Sequence, residues 1–227
     1  MTEAVPDETT LCKFRHLLEE NGLNKLIFDA INRVMVQAGH MMKGGTIVDA
    51  TIINAPSSTK NATKAREPEM HQTKKGNAWK FGMKCHIGVD AGSGLVHTIT
   101  VTAANKHDIT ETAKLLREDD EVVYGDSGYL GIQKRPEIRQ NTHFSNIDFR
   151  INRRPKSLPQ VSDNAIDWER CIENRKSSAC CKVEHVFRVI KCQFYRGLKK
   201  NESRLYAMFA CANLYSLAMA GRKLSTT

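Results

Sequence analysis

The stretch Val122-Val123-Tyr124-Gly125-Asp126-Ser127-Gly128-Tyr129 sets a carboxylate directly after a short apolar strand and just before a glycine turn. Two more acids fall into a related pattern. Asp49 ends the apolar run Thr46-Ile47-Val48, and Glu184 lies inside the helical pattern Val183-Glu184-His185-Val186-Phe187-Arg188-Val189-Ile190-Lys191. Two strand-end aspartates and a later helical glutamate are what a site needs to hold two divalent ions against a phosphodiester. Magnesium favours a few hard carboxylate oxygens and keeps several waters, so three acids suffice. Each acid also has a plain reading: Asp49 ends a strand, Asp126 starts a turn, Glu184 is a solvated helix acid. The helix adds a polar stripe, because Glu184, Arg188 and Lys191 recur at i, i+4 and i+7 opposite Val183, Val186, Phe187 and Ile190. Such a stripe either binds metal and phosphate together or forms a surface row of ion pairs.

Composition narrows the partners. The 227 residues are enough for one well-filled core, and 34 Lys+Arg against 25 Asp+Glu give a net charge of +9. A basic surplus of that size points to a polyanion, nucleic acid or an anionic membrane. No apolar run approaches the roughly 20 residues that span a bilayer. The first residues, Met1-Thr2-Glu3-Ala4-Val5-Pro6-Asp7-Glu8, lack the pattern of a secretion signal, which leaves nucleic acid as the leading partner. Seven cysteines without CxxC spacing fit reduced thiols in a cytoplasm. Cys85-His86 and His97 are read as a buried thiol and strand histidines in preference to metal ligands.

Around the acids, the periodicities order the chain. Asp7 caps a helix with Leu11, Phe14, Leu17 and Leu18 at helical spacing until Asn21-Gly22. A second helix carries Leu26, Ile27, Ala30, Ile31, Val34 and Met35 on one face, with Gly39 past its end. The pair is either simple packing or a helix-turn-helix reader of DNA. Thr46 to Ile53 reads as a strand interrupted by Asp49. Residues 54–80 are polar and basic, with Lys60, Lys64, Arg66, Lys74, Lys75 and Lys80, and read as a long loop that either follows a phosphate backbone or is merely solvated. Phe81 to Val89 and Leu95 to Val101 form a hairpin around Asp90-Ala91-Gly92-Ser93-Gly94, whose glycines supply positive φ. A short helix capped by Asp108 runs to Leu116. Then come the strand before Asp126, a strand from Ile147 to Ile151, the basic loop Asn152-Arg153-Arg154-Pro155-Lys156 and the helix through Glu184. A last helix has Leu205, Phe209, Ala212 and Met219 on its apolar side. The order is that of an α/β fold.

The segments Gly45-Thr46-Ile47-Val48-Asp49-Ala50-Thr51-Ile52-Ile53, Gly125-Asp126-Ser127-Gly128-Tyr129 and Lys182 to Lys191 closely resemble the bacterial DDE transposases of the insertion sequence five family. Pro68 to Asn77 and Gly88-Val89-Asp90 resemble that family too, so the likeness runs from about Pro6 to about Leu217. It implies a ribonuclease H-like mixed sheet flanked by helices, with a helical N-terminal segment over residues 1–43 that forms part of the DNA-binding region. Residues 44–227 would be the catalytic domain, carrying the basic loop 54–80. Asp49, Asp126 and Glu184 would be the catalytic triad holding two Mg2+ or Mn2+ ions. Lys191 would contact the transposon end, with Arg188, Lys74 and Lys75 as further DNA contacts. The implied activity is hydrolytic nicking at terminal inverted repeats followed by strand transfer to target DNA. A homo-oligomer would carry this out on double-stranded DNA in the bacterial cytoplasm, at the nucleoid.

The likeness has gaps. Cys180 stands where the family usually has an arginine, the segment after Phe194 is shorter than in relatives, and the N-terminus is short. A thiol does not replace a guanidinium's bidentate grip on phosphate. Two alternatives to a working transposase follow: an impaired DNA-binding remnant that inhibits the full-length enzyme, and a structure-specific nuclease on the same fold.

Overall fold

The computed structural model describes residues 5–60, 64–154, 168–190 and 197–224. The chain order is α1 (Glu8–Glu20), α2 (Leu23–Gln37), β1 (Gly45–Asn54), β2 (His71–Lys75), β3 (Ala78–Asp90), β4 (Val96–Ala103), α3 (Asp108–Leu115), β5 (Val122–Gly125), α4 (Pro136–Arg139), β6 (Asp148–Ile151), α5 (Trp168–Ile190) and α6 (Leu198–Leu224). The β-branched run of β1 lies in the middle of a six-stranded sheet, antiparallel to β3 on one side and parallel to β5 on the other. β5 pairs in parallel with β6, while β2 and β4 both run antiparallel to β3, along its first and second halves.

Successive strand residues point to opposite faces, and each face is covered. Ile47 and Ile53 of β1 and Ile87 and Val89 of β3 meet Phe28 of α2, Val183 and Phe187 of α5, and Leu205 and Phe209 of α6. Val48 and Val123 look the other way, into a second core with Leu115, Tyr129, Ile132, Phe144 and Ile151. A central β1 with antiparallel strands on one flank, parallel strands on the other and helices on both faces is the ribonuclease H-like mixed sheet expected above.

A buried ion-pair network fixes where β1 starts. The enclosed carboxylate of Asp90 accepts from the backbone N–H groups of Met42 (3.2 Å), Lys43 (3.0 Å) and Ser93 (2.8 Å) and from Arg117 Nη2 (3.1 Å). Those contacts hold its carboxyl below the usual carboxylate range despite burial, which pushes the other way. Arg117 also donates to Gly45 O and to Asp120, and Asp120 in turn accepts from Thr46 Oγ1. Breaking such a pair by removing one partner typically costs about 3–5 kcal/mol.

Several expectations change. The helical N-terminal segment is present, and Asp7 Oδ1 caps α1 by accepting from Thr10 N at 2.7 Å. The buried face of α2, however, is Asn24, Phe28, Asn32 and Met35, and Leu26, Ile27 and Val34 are exposed, as are Leu11, Phe14 and Leu17 of α1. Polar pairing to α6 decides this, through Asn24 to Ser203 (2.9 Å) and Asn213 to Asn32 (3.0 Å). The stretch 54–80 is not one loop, since it contains β2 and the first residues of β3, joined at Gly76-Asn77. β2 escaped the period-two pattern because all its residues but Thr73 are exposed. Asp108 is the first residue of α3, not its cap, which is His107; its carboxylate pairs with Lys84 Nζ at 2.9 Å. In the Asp90–Gly94 turn Gly94 has φ +77°, whereas Gly92 is needed because a side chain there would run into Met42.

Candidate active site

Asp49 does not end its strand. β1 continues to Asn54, and what stops beside Asp49 is the pairing with β5, whose last partnered residues are Ile47 and Tyr124. Asp126 follows the end of β5 directly. Two residues past the same rung on parallel neighbours, both acids face the side of the sheet that α5 covers. Asp49 feels the charge of Asp126. The carboxyl of Asp49 is pushed up to about 6, first by burial and further by the charges of Asp126 and Asp108, against the lowering effects of the Ala50 backbone N–H and of Lys75.

Local geometry holds the two acids in different ways. Asp49 Oδ1 accepts from the N–H of Ala50 at 2.7 Å. Asp126 is exposed and caps a 3₁₀ turn, Ser127–Tyr129, with Oδ1 accepting from Gly128 N at 2.8 Å. The glycines on either side leave room for this arrangement. A Cβ on Gly128 would lie 2.9 Å from Asp126 Oδ1, and one on Gly125 would lie 3.1 Å from Ile151 Cδ1 and 3.2 Å from the Tyr129 ring.

The third candidate acid, Glu184, sits on α5, a helix tied down on both sides. Lys182 Nζ donates to Ala91 O (2.6 Å) and Gly92 O (3.1 Å) at the β3–β4 turn. Beyond β6, Asn152 donates to Ser177 (2.8 Å) and the N–H of Arg153 to Glu173 (2.8 Å). Cys180 of this helix meets the acid pair: burial, then Asp49 and Asp126, push its thiol up to about 12, so it stays protonated. Glu184 is one turn further and exposed. Among the described residues no three His, Cys, Asp or Glu side chains are gathered closely enough to hold a metal ion. The structure thus brings Asp49 and Asp126 together and leaves Glu184 on the flanking helix. Of the sequence's other candidates, the Arg188 side chain and Lys191 lie outside the described residues, as does the segment just after Phe194.

Lys74 and Lys75 are exposed on β2, and Lys75 is close enough to act on Asp49. Cys85 and His86 are fully enclosed; the thiol is pushed up by burial, and burial lowers the imidazole to about 4, so the plain reading of both holds. Sequence reasoning read Asp108 only as a helix cap, although its charge acts on Asp49, and gave no role to Tyr129, whose backbone N–H donates to Asp126 O. Tyr129 stood in the quoted Gly-Asp-Ser-Gly-Tyr run, and its place in that run was the available signal.

Donor chemistry fits a divalent cation: two hard carboxylates whose mutual repulsion a positive charge relieves. No helix among the described residues is long and apolar enough to cross a membrane. No solved structure matches the chain. The family described as "Transposase DDE domain" matches residues 40–214, from just before β1 into α6 and so across every element of the site. The match spans most of the sequence and contains both aspartates and the glutamate helix, and the chain belongs to the DDE transposase family.

Proposed function

We propose that this protein is the transposase of an insertion sequence of the insertion sequence five type, cutting DNA at terminal inverted repeats and joining the freed 3′ ends to target DNA. Asp49, Asp126 and Glu184 would hold two Mg2+ or Mn2+ ions, from which activation of the attacking oxygen and neutralisation of the leaving oxygen would come. The observation that carries this reading is the Asp49–Asp126 pair. A carboxyl raised to about 6 by burial and a like charge is poorly suited to a purely structural role and well suited to receiving a cation.

The remaining residues have consistent tasks. Asp126 is oriented by the Gly128 N–H, and Asp49 by the Ala50 N–H. Glu184 is carried by a helix anchored to the sheet through Lys182 and through Glu173. Lys74 and Lys75 extend a positive edge beside Asp49, suited to the phosphate backbone leading into the site. Residues 1–43 contribute to holding the repeats, and Lys191 and Arg188 contact the transposon end. The protein would work as a homo-oligomer on DNA in the bacterial cytoplasm.

One observation favours a second reading. Cys180, uncharged, occupies the place against the acid pair where an arginine would grip phosphate. An impaired protein that still binds the ends and inhibits intact enzyme is consistent with it. Incubation with labelled inverted-repeat DNA from the element's own flanks and 5 to 10 mM (roughly) Mg2+ or Mn2+ separates the two. Nicking that disappears in Asp126→Asn supports the enzyme, whereas binding of the ends without any cleavage leaves only the inhibitory remnant.

A further inference from the structure

The hairpin of β2 and the first residues of β3 is built unlike the rest of the sheet. β1 and β4 pair with β3 only from Gly82 and Met83 onward, so among the described residues Ala78, Trp79 and Lys80 have β2 as their one strand neighbour. They form a two-stranded ribbon with Gly76-Asn77 at its tip. From His71 to Phe81 the sequence carries Lys74, Lys75 and Lys80 and no acid. Partners across the ribbon share a face, which puts Trp79 beside Lys74 and, two residues inward, Phe81 beside Gln72. Phe81 packs against the core that α5 covers, and the Arg66 guanidinium lies over its ring at 5.4 Å. Trp79 continues that face outward and is 66% exposed. Tryptophan is on average a highly buried residue, yet among the described residues no ring or cation covers this indole. The fold leaves a large flat apolar ring uncovered in a surface of uniformly positive charge.

Lysines alone suit any run of phosphates. A planar ring among them narrows the ligand, because it matches the π-face of a base, and a lysine track with an aromatic platform is the combination that holds single-stranded nucleic acid. In a continuous duplex each base face is covered by its neighbours in the stack, so the indole can meet one only where a base is unpaired. We propose that Trp79 stacks on an unpaired base of the DNA, with Lys74, Lys75 and Lys80 on the flanking phosphates. This rests on the reading of the chain as an enzyme acting on DNA. Lys75, one rung nearer the tip than Trp79, has a charge that acts on the Asp49 carboxyl, in keeping with a ribbon that lies on the approach to the acid pair. Held there, the base keeps the strands apart next to the phosphodiester that is cut.

The test uses the full chain with Trp168→Phe, which leaves Trp79 as the single tryptophan of the two in the sequence. The probes are a single strand of about 12 thymidines and a covalently closed duplex circle, in which every base is paired and stacked. Indole fluorescence reads stacking, and retention of labelled DNA on a filter reads affinity. The single strand should quench Trp79 and the circle should not. Trp79→Leu keeps an apolar side chain without a flat ring, and should bind the single strand at least about fivefold more weakly while binding the circle as before. Trp79→Phe, which keeps a ring, should stay close to the starting protein on both probes. The slope of log affinity against log salt should be the same in all three, since no charge is removed. Single-strand binding without quenching, or an unchanged single-strand affinity in Trp79→Leu, overturns the inference while DNA binding stands. An equal loss on both probes also overturns it, because the contact would then be with the outside of a duplex. A starting protein that binds neither probe overturns both the inference and the reading beneath it.

Discussion

Replacing Asp49 by asparagine should make the ion-free protein more stable at neutral pH. Burial and the charge of Asp126 raise the Asp49 carboxyl from 3.8 to about 6. Its native state therefore binds a proton more tightly than its unfolded state. The stabilisation from that proton is fully present below about pH 4 and is lost as pH rises from there through about 6. A shift of roughly 2 units at 1.36 kcal/mol per unit sets a ceiling of about 3 kcal/mol, and partial solvent access lowers the expected effect to about 1–2 kcal/mol. Asparagine keeps an oxygen for the Ala50 N–H and carries no charge to repel Asp126. Urea unfolding in the presence of a chelator, at a series of pH values from 4 to 8 (roughly), reads the difference directly. The two proteins should have similar stability near the acid end, with the variant pulling ahead as pH rises. Mn2+ at about 100 times its dissociation constant should then stabilise wild type by about 2.7 kcal/mol and remove the variant's lead. A variant less stable than wild type at neutral pH without ion, or a difference independent of pH, would refute the account of the acid pair.

Other outcomes follow from the same geometry. Gly128→Ala should displace the Asp126 carboxylate, because the new Cβ would sit 2.9 Å from Oδ1; Mn2+ titration should show at least about a tenfold loss of affinity with a near-normal melting curve. The double variant Lys74→Gln/Lys75→Gln, on an exposed strand, should fold normally and bind DNA more weakly. If both lysines contact phosphate, the slope of log affinity against log salt, read by fluorescence anisotropy, should shrink by roughly 2. Asp90→Asn should cost about 3–5 kcal/mol in urea unfolding at neutral pH, since it leaves Arg117 without one of its buried carboxylates. Because folding lowers the Asp90 carboxyl, the wild-type advantage should be present above the unfolded value and be lost as pH falls through the native one.

The positions of the two aspartates were legible because an acid after an apolar run and a glycine-flanked acid are local signals, and the sheet order puts them two residues past the same rung of neighbouring strands. Glu184 was legible as a helical acid, but the sequence carries no information on how far its carboxylate stands from the pair; that depends on how α5 is tethered by Lys182 and Glu173. The orientation of α2 was misread for a comparable reason. Leu26, Ile27 and Val34 look like a core stripe until asparagines on the adjacent face find Ser203 and Asn213 on α6, some 180 residues away. β2 was invisible because its lysines and glutamine show no buried side at all, and only pairing to β3 makes them a strand. Tyr129 had no reading of its own in the sequence, because the enclosure of its hydroxyl is a property of surroundings drawn from several segments.

The parallel rungs Gly45–Val122, Thr46–Val123 and Ile47–Tyr124 also have a genetic consequence. Asp49 and Asp126 stand at the same count beyond the last rung, so their alignment depends on residue number as much as on residue identity. Inserting or deleting a single codon within the four that encode β5 would turn Asp126 to the opposite face while Val122 could still seed the strand. Point changes among the apolar residues of β5 would leave that count intact. A gene drifting without selection on activity should therefore keep this alignment through apolar substitutions in the strand and lose it through a change in the strand's length.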